Sequence, residues 1–204
     1  SIGMSPFFMN TAACLIVILI NQGLQRHGGD LAIGAYGIVN RISFVFVMIV
    51  MGLNQGMQPI AGYNFGAREF QRVDRVLKLT IFCATAIMTL GFLVAELFPR
   101  QLVMIFTTDE ELIQHSISGM RIVFMMFPII GFQMVTSNFF RSIGYAGTAI
   151  FISLTRQLLI LLPLMYILPQ FFSLNGIWAS MPAADAIACL ISSSMMFYHF
   201  RKMK

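Results

Sequence analysis

Polar residues punctuate the chain and leave six apolar stretches, at positions 3–22, 31–51, 76–97, 119–139, 148–168 and 174–197. A helix of about 20 residues, rising 1.5 Å per residue, crosses the roughly 30 Å hydrocarbon core of a bilayer. Gly28-Gly29-Asp30, Gly66 to Glu69, Arg141 to Gly147 and Pro169 to Ser173 supply breaks between the stretches. The pattern therefore predicts an all-α, polytopic bundle of six transmembrane helices forming one domain over residues 1–204. An even number of crossings places both ends on the same side.

Composition agrees with a lipid environment. Hydrophobic residues make up 58% of the 204 residues and charged ones 10%, against about 45–50% and about 25% in soluble domains. Mean hydropathy is +0.81. Arg68, Arg72, Arg75, Lys78, Arg141, Arg201, Lys202 and Lys204 fall at one end of the predicted bundle, whereas Arg26, Arg100 and Arg121 at the other are offset by Asp30, Asp109, Glu110 and Glu111. Cytoplasmic loops carry the Lys and Arg excess, so the first end is expected to be cytoplasmic and the membrane to be the cell (inner or plasma) membrane. The net charge of +5 thus belongs to a membrane surface and gives no reason to expect nucleic acid. Ser1 is not an initiator Met, and no basic segment precedes the first apolar stretch; the chain is expected to be a piece of a longer one.

Soluble chemistry finds little footing. Cys14, Cys83 and Cys189 lie one to a span without a CxxC, which suits packing, and His27, His115 and His199 have no ligand at metal-binding spacing. No nucleophile, base and acid occur in a catalytic order, and Gly62 to Gly66 lacks the Lys and Ser or Thr of a phosphate loop. Neither an enzyme nor a resident metal or cofactor is expected. Thr108 and Glu111 have capping-box spacing, predicting a short surface helix over 109–118 that leads into the fourth span.

Charge within the spans is more informative, because it is costly in hydrocarbon and must face protein or a wet cavity. Arg41 and Asp185 each lie roughly 15 Å from the outer ends of their spans, and Arg156 roughly 12 Å from the opposite surface, at 1.5 Å per residue. Asp185 therefore has two candidate partners. Such a pair can pin two helices, and a buried acid can also carry or gate a proton. Glu96, near a span end, is expected to reach the interface.

Uncharged polar residues trace candidate cavity faces at 100° per residue: Asn10, Cys14, Asn21 and Gln25 on the first span, Asn40, Asn54 and Gln58 on the second, and Gln133, Thr136 and Ser137 on the fourth. Ordinary hydrogen bonding between helices is the competing explanation. Pro128, Pro163 and Pro182 lie inside spans where they can bend helices. Sixteen Met and twenty Phe suit either a pliant cavity for organic cations or a lipid-facing surface.

The run from Gly52 to Ala67, with Gln55, Gln58, Pro59, Gly62, Asn64 and Gly66, ends the second apolar segment before a basic loop. Together with Ala35 to Arg41, Phe106 to Asp109, Phe140 to Gly144, Arg156-Gln157, Gly176-Ile177-Trp178 and Pro182 to Asp185, it resembles the C-terminal lobe of the multidrug and toxic compound extrusion (MATE) family, in the branch similar to the MepA and DinF types. The resemblance implies twelve helices in two six-helix lobes, of which this chain supplies helices seven to twelve. It implies small organic cations exported in exchange for Na⁺ or H⁺, with membrane lipid and an N-terminal six-helix lobe as partners. NorM-type members carry acids in their seventh and tenth helices, whereas these spans have Asn10, Asn21, Gln22 and Gln133; a coupling acid is then expected in the first helix of the other lobe. A related flippase of lipid-linked saccharides and a non-transporting membrane scaffold are the alternatives.

Overall fold

The computed structural model describes the backbone of residues 4–203 and the side chains of all of these except 4–10, 12, 146, 149, 152 and 197–203. Its elements are α1 (Met4–Gly66), α2 (Phe70–Leu97), α3 (Pro99–Met104), α4 (Glu110–Phe124), α5 (Phe127–Ser142), α6 (Ala146–Leu154), a π-helical stretch (Thr155–Leu161) and α7 (Leu162–Met203). Kinks at Gly29 and Ser173 divide α1 and α7 into two arms each. The backbone at Gly29, with φ 64° and ψ −160°, is readily adopted by glycine and strained for residues with a Cβ. The described residues thus form a helical membrane bundle whose six long segments follow the six apolar stretches.

Boundaries differ from the sequence pattern in instructive places. The second arm of α1 does not end at Met51 but runs on through Pro59 to Gly66. One missing N–H at Pro59 is tolerated in a membrane helix, whereas breaking the helix would leave several backbone groups without partners. Gly62 has a packing purpose: a Cβ there would lie 2.9 Å from the Ser142 carbonyl oxygen. The expected basic loop is only a tight turn, and Arg72, Arg75 and Lys78 belong to α2.

The fourth span is two helices, α4 and α5, bent by 53°. Pro128 sits in the first turn of α5, where its missing N–H costs nothing. Phe124 and Phe127 stack across the break at 3.9 Å between centroids, and Phe46 meets both edge-on. The helix before the break starts at Glu110 and reaches Phe124 without stopping at Ser118. Its cap is Asp109, whose carboxylate accepts from the N–H groups of Glu111 and Leu112, so the Thr108–Glu111 capping box does not form. The one-residue shift lets an ionised acceptor face the helix N-terminus. Pro169, expected to separate spans, lies within α7; the break comes at Ser173.

Packing follows membrane logic. Along α2 the buried side is Val73, Leu77, Thr80, Ala84, Met88, Gly91 and Ala95, while Leu79, Phe82, Leu90, Leu93 and Leu97 are exposed. Small residues inside allow close helix approach, and large apolar ones outside suit lipid.

The two ends of the bundle are chemically distinct. At one, Arg100 forms a two-pronged ion pair with Glu110, and Arg121 lies 3.6 Å from Glu96. At the other, α1 and α5 both finish in a Schellman turn: Glu69 N–H donates to the Asn64 carbonyl and Arg68 N–H to Phe65, and Tyr145 and Gly144 donate likewise to Phe140 and Arg141. Phe65 packs edge-on against Tyr145 and ties the two turns together. The side chains of Arg201, Lys202, His199 and Asn10, and the whole of Lys204, lie outside the described residues.

Candidate functional site

Two neighbouring cavities within the bundle share part of their walls. The larger, about 370 Å³, is bounded by both arms of α1, the α4–α5 bend, the π-helical stretch and the second arm of α7. Tyr36, Asn40, Ser43 and Val47 line it from α1, Val123, Phe127, Ile130 and Met134 from the bent pair, and Met181, Ala184 and Asp185 from α7. The recurrence at 36, 40, 43 and 47 is one helix face. The smaller cavity, about 210 Å³, holds Met51, Gln133, Ser137, Asn138, Arg141 and Ser153. Met134, Arg156 and Gln157 line both.

Arg156 and Asp185 join the π-helical stretch to α7, with Nε 2.5 Å from Oδ1. The contact is a close ion pair without an aligned hydrogen bond to that oxygen. Only 5% of the Asp185 side chain is exposed, against 37% of Arg156. A buried carboxylate is tolerable because the guanidinium is beside it, and the cation keeps contact with the cavities. The widened backbone at Arg156 has a local cause. Pro163 has no N–H for the carbonyl of Leu159, and its ring would crowd that group in an α-helix; the chain takes the wider π form immediately before it.

Arg41 is the rival partner that the structure does not bring to Asp185. It is exposed, and among the described residues it makes no ion pair. Depth alone made it a candidate; direction decides otherwise, since Asn40, one residue back, is the one that lines the cavity.

The remaining sequence candidates separate. Asn40 lines the larger cavity, and Gln133 and Ser137 the smaller, where Ser137 Oγ lies 3.3 Å from Ser153 Oγ. Gln58 instead donates to Asn138 Oδ1 at 3.3 Å, an ordinary contact between helices. Asn54 is buried, with neither amide atom hydrogen-bonded among the described residues. Asn21 is half-buried and lies off the larger cavity, whose wall from this arm is Ala13, Ile16, Val17 and Ile20. Asn10 falls outside the described side chains. Thr136 bonds back to the Phe132 carbonyl. Cys14, expected to pack, is exposed.

Tyr36, Ser43, Gln157 and Arg141 were not singled out as cavity residues from the pattern. Extending the Asn40 face by one helical turn each way would have found Tyr36 and Ser43, and Gln157 adjoins Arg156.

The fold that holds these cavities has known relatives. The staphylococcal multidrug export protein MepA is 24% identical over 98% of this chain in Staphylococcus aureus strain MSSA476 and 22% identical in Staphylococcus saprophyticus. The chain spans 44% of the length of these relatives. Among solved structures, the MATE multidrug transporter DinF-BH, determined as a complex, is 37% identical over 96% of this chain and 44% of its own, with a TM-score of 0.83. An outward-facing MATE transporter of the MOP superfamily superimposes with a TM-score of 0.90 at 18% identity, over 98% of this chain and 46% of its own. The MatE family model matches residues 5–167, and the chain belongs to the MatE family.

Proposed function

We propose that this chain is the C-terminal lobe of a two-lobe antiporter that exports small organic cations in exchange for Na⁺ or H⁺. The observation that carries this reading is the larger cavity, where Tyr36, Phe127, Met134 and Met181 surround a floor containing Asp185 and Arg156. Aromatic faces attract cations, thioethers conform to varied shapes, and a few polar groups set orientation. The chain's share of its relatives' length supports a companion N-terminal lobe, with the substrate held between the two. Asp185 is already paired within this lobe, which supports placing the coupling acid in the other one.

The concentration of Arg68, Arg72, Arg75 and Arg141 at the Schellman end supports a cytoplasmic location for that end and for both termini, in the cell membrane. The test is reconstitution of the chain with its companion lobe in liposomes, measuring movement of a fluorescent organic cation under an imposed Na⁺ or proton gradient. Movement driven by one gradient and abolished by its dissipation is the expected result and identifies the ion. No movement under either gradient overturns the reading.

A further inference from the structure

The smaller cavity has a composition that an organic cation would not select. Two guanidinium groups, Arg141 and Arg156, face it, with hydroxyls from Ser137 and Ser153, and no carboxylate is in its wall among the described residues. Asp185 offsets Arg156 from behind, so the uncompensated charge is that of Arg141, which makes no ion pair among the described residues. The site carries one positive charge beside a neutral, polarised pair.

Two acceptors complete it. Gln133 is 95% buried, being 5% exposed, and its Oε1 has no hydrogen-bond partner; Gln157 Oε1 is likewise buried and unpartnered. Both residues line this cavity. An unmade hydrogen bond at a buried carbonyl is unfavourable, so a ligand with a hydroxyl donor gains by drawing either amide oxygen toward the cavity. Arg141 lies at the last turn of α5, at the same end of the bundle as Arg68, so the cavity reaches from a membrane surface inward.

We propose that the smaller cavity binds a phosphate group carrying a hydroxyl donor, the chemistry of a glycerophosphate. Arg141 and Arg156 take the phosphate oxygens, for which the guanidinium fork is well matched, and the amide oxygens of Gln133 and Gln157 accept from the glycerol hydroxyls. A phosphate ester supplies the negative charge that balances Arg141, one unit as a phosphodiester and about −1.5 to −2 as a monoester at pH 7. The source is a phosphatidylglycerol headgroup or a soluble glycerophosphate. The proposal stands on this cavity alone and does not depend on transport.

Native mass spectrometry of the detergent-purified protein tests it. Phosphatidylglycerol should be retained about tenfold better than phosphatidylcholine, whose headgroup has no donor, and Arg141→Gln should reduce that preference to near parity. Arg141→Lys, which keeps the charge and loses the fork, should give a severalfold loss, and it serves as the readout should Arg141→Gln fail to fold. In a second arm, sn-glycerol 3-phosphate should either bind with the same dependence on Arg141, assigning a soluble source, or leave lipid retention unchanged while the lipid arm holds, assigning the headgroup. Equal retention of the two lipids together with no Arg141-dependent binding of sn-glycerol 3-phosphate overturns the site.

Discussion

Removing either member of the Arg156–Asp185 pair should destabilise the fold, and by unequal amounts. Breaking a fully buried pair by deleting one partner costs about 3–5 kcal/mol, because the other charge is left without compensation. Arg156→Met leaves Asp185, whose side chain is only 5% exposed, so the full range of about 3–5 kcal/mol applies. Asp185→Asn leaves Arg156, whose side chain is 37% exposed and can hydrate in the cavities. Solvent screening discounts that cost to about 1–2 kcal/mol. For a chain of this size, about 2–4 °C of midpoint accompanies each kcal/mol, so Arg156→Met should unfold about 6–20 °C lower than the parent and Asp185→Asn only about 2–8 °C lower. Replacing both with Met and Leu should recover most of the loss, since well-packed apolar pairs substitute for buried ion pairs at little cost. The assay is thermal unfolding in one detergent, followed by far-ultraviolet circular dichroism. If Asp185→Asn proves as damaging as Arg156→Met, the burial argument is wrong.

Other substitutions test separate parts of the fold. Arg68 holds φ 59° at a helix-ending position usually given to glycine, so Arg68→Gly should stabilise by about 1 kcal/mol; a lower unfolding midpoint would count against the Schellman assignment. Gly119 has the Trp178 ring 2.6 Å from where a Cβ would stand, so Gly119→Ala should cost about 1–3 kcal/mol by overpacking. Trp178 is the sole tryptophan and 3% exposed; its emission should shift to the red, and unchanged emission and stability would contradict the contact. Asn54 has two buried amide atoms without partners, so Asn54→Leu should raise stability by about 1–2 kcal/mol. A loss on thermal unfolding would mean that the amide has a partner which only the assembled protein supplies.

The candidate site was legible in part. Asp185 and Arg156 stand out in any membrane span because charge is rare there, and Asn40, Gln133 and Ser137 followed from polar positions on helical faces. Asn54 and Gln58 show the same signal without lining either cavity, since polarity on a face does not say whether a neighbouring helix or a cavity lies opposite. Arg141 looked like surface charge because a span end is where such charge belongs. Only the packing of α6, which leads into the π-helical stretch, against α5 made it part of a cavity wall.

What the sequence determined by itself was the medium and the segmentation. Apolar runs of bilayer length, breaks at Gly29 and near Ser173, and the clustering of Arg and Lys at alternate breaks are one-dimensional facts, each with a local physical cause. Tertiary structure alone decided partner and direction. Arg41 and Asp185 have matching depth, but a rotation of about 100° per residue turned Arg41 out of the bundle while Asn40 faced the cavity, and a π-helical stretch in front of Pro163 accompanies the approach of Arg156 to Asp185. Where a helix points a side chain depends on how it is turned by everything packed against it, and this is a property of the assembled bundle that no single span contains.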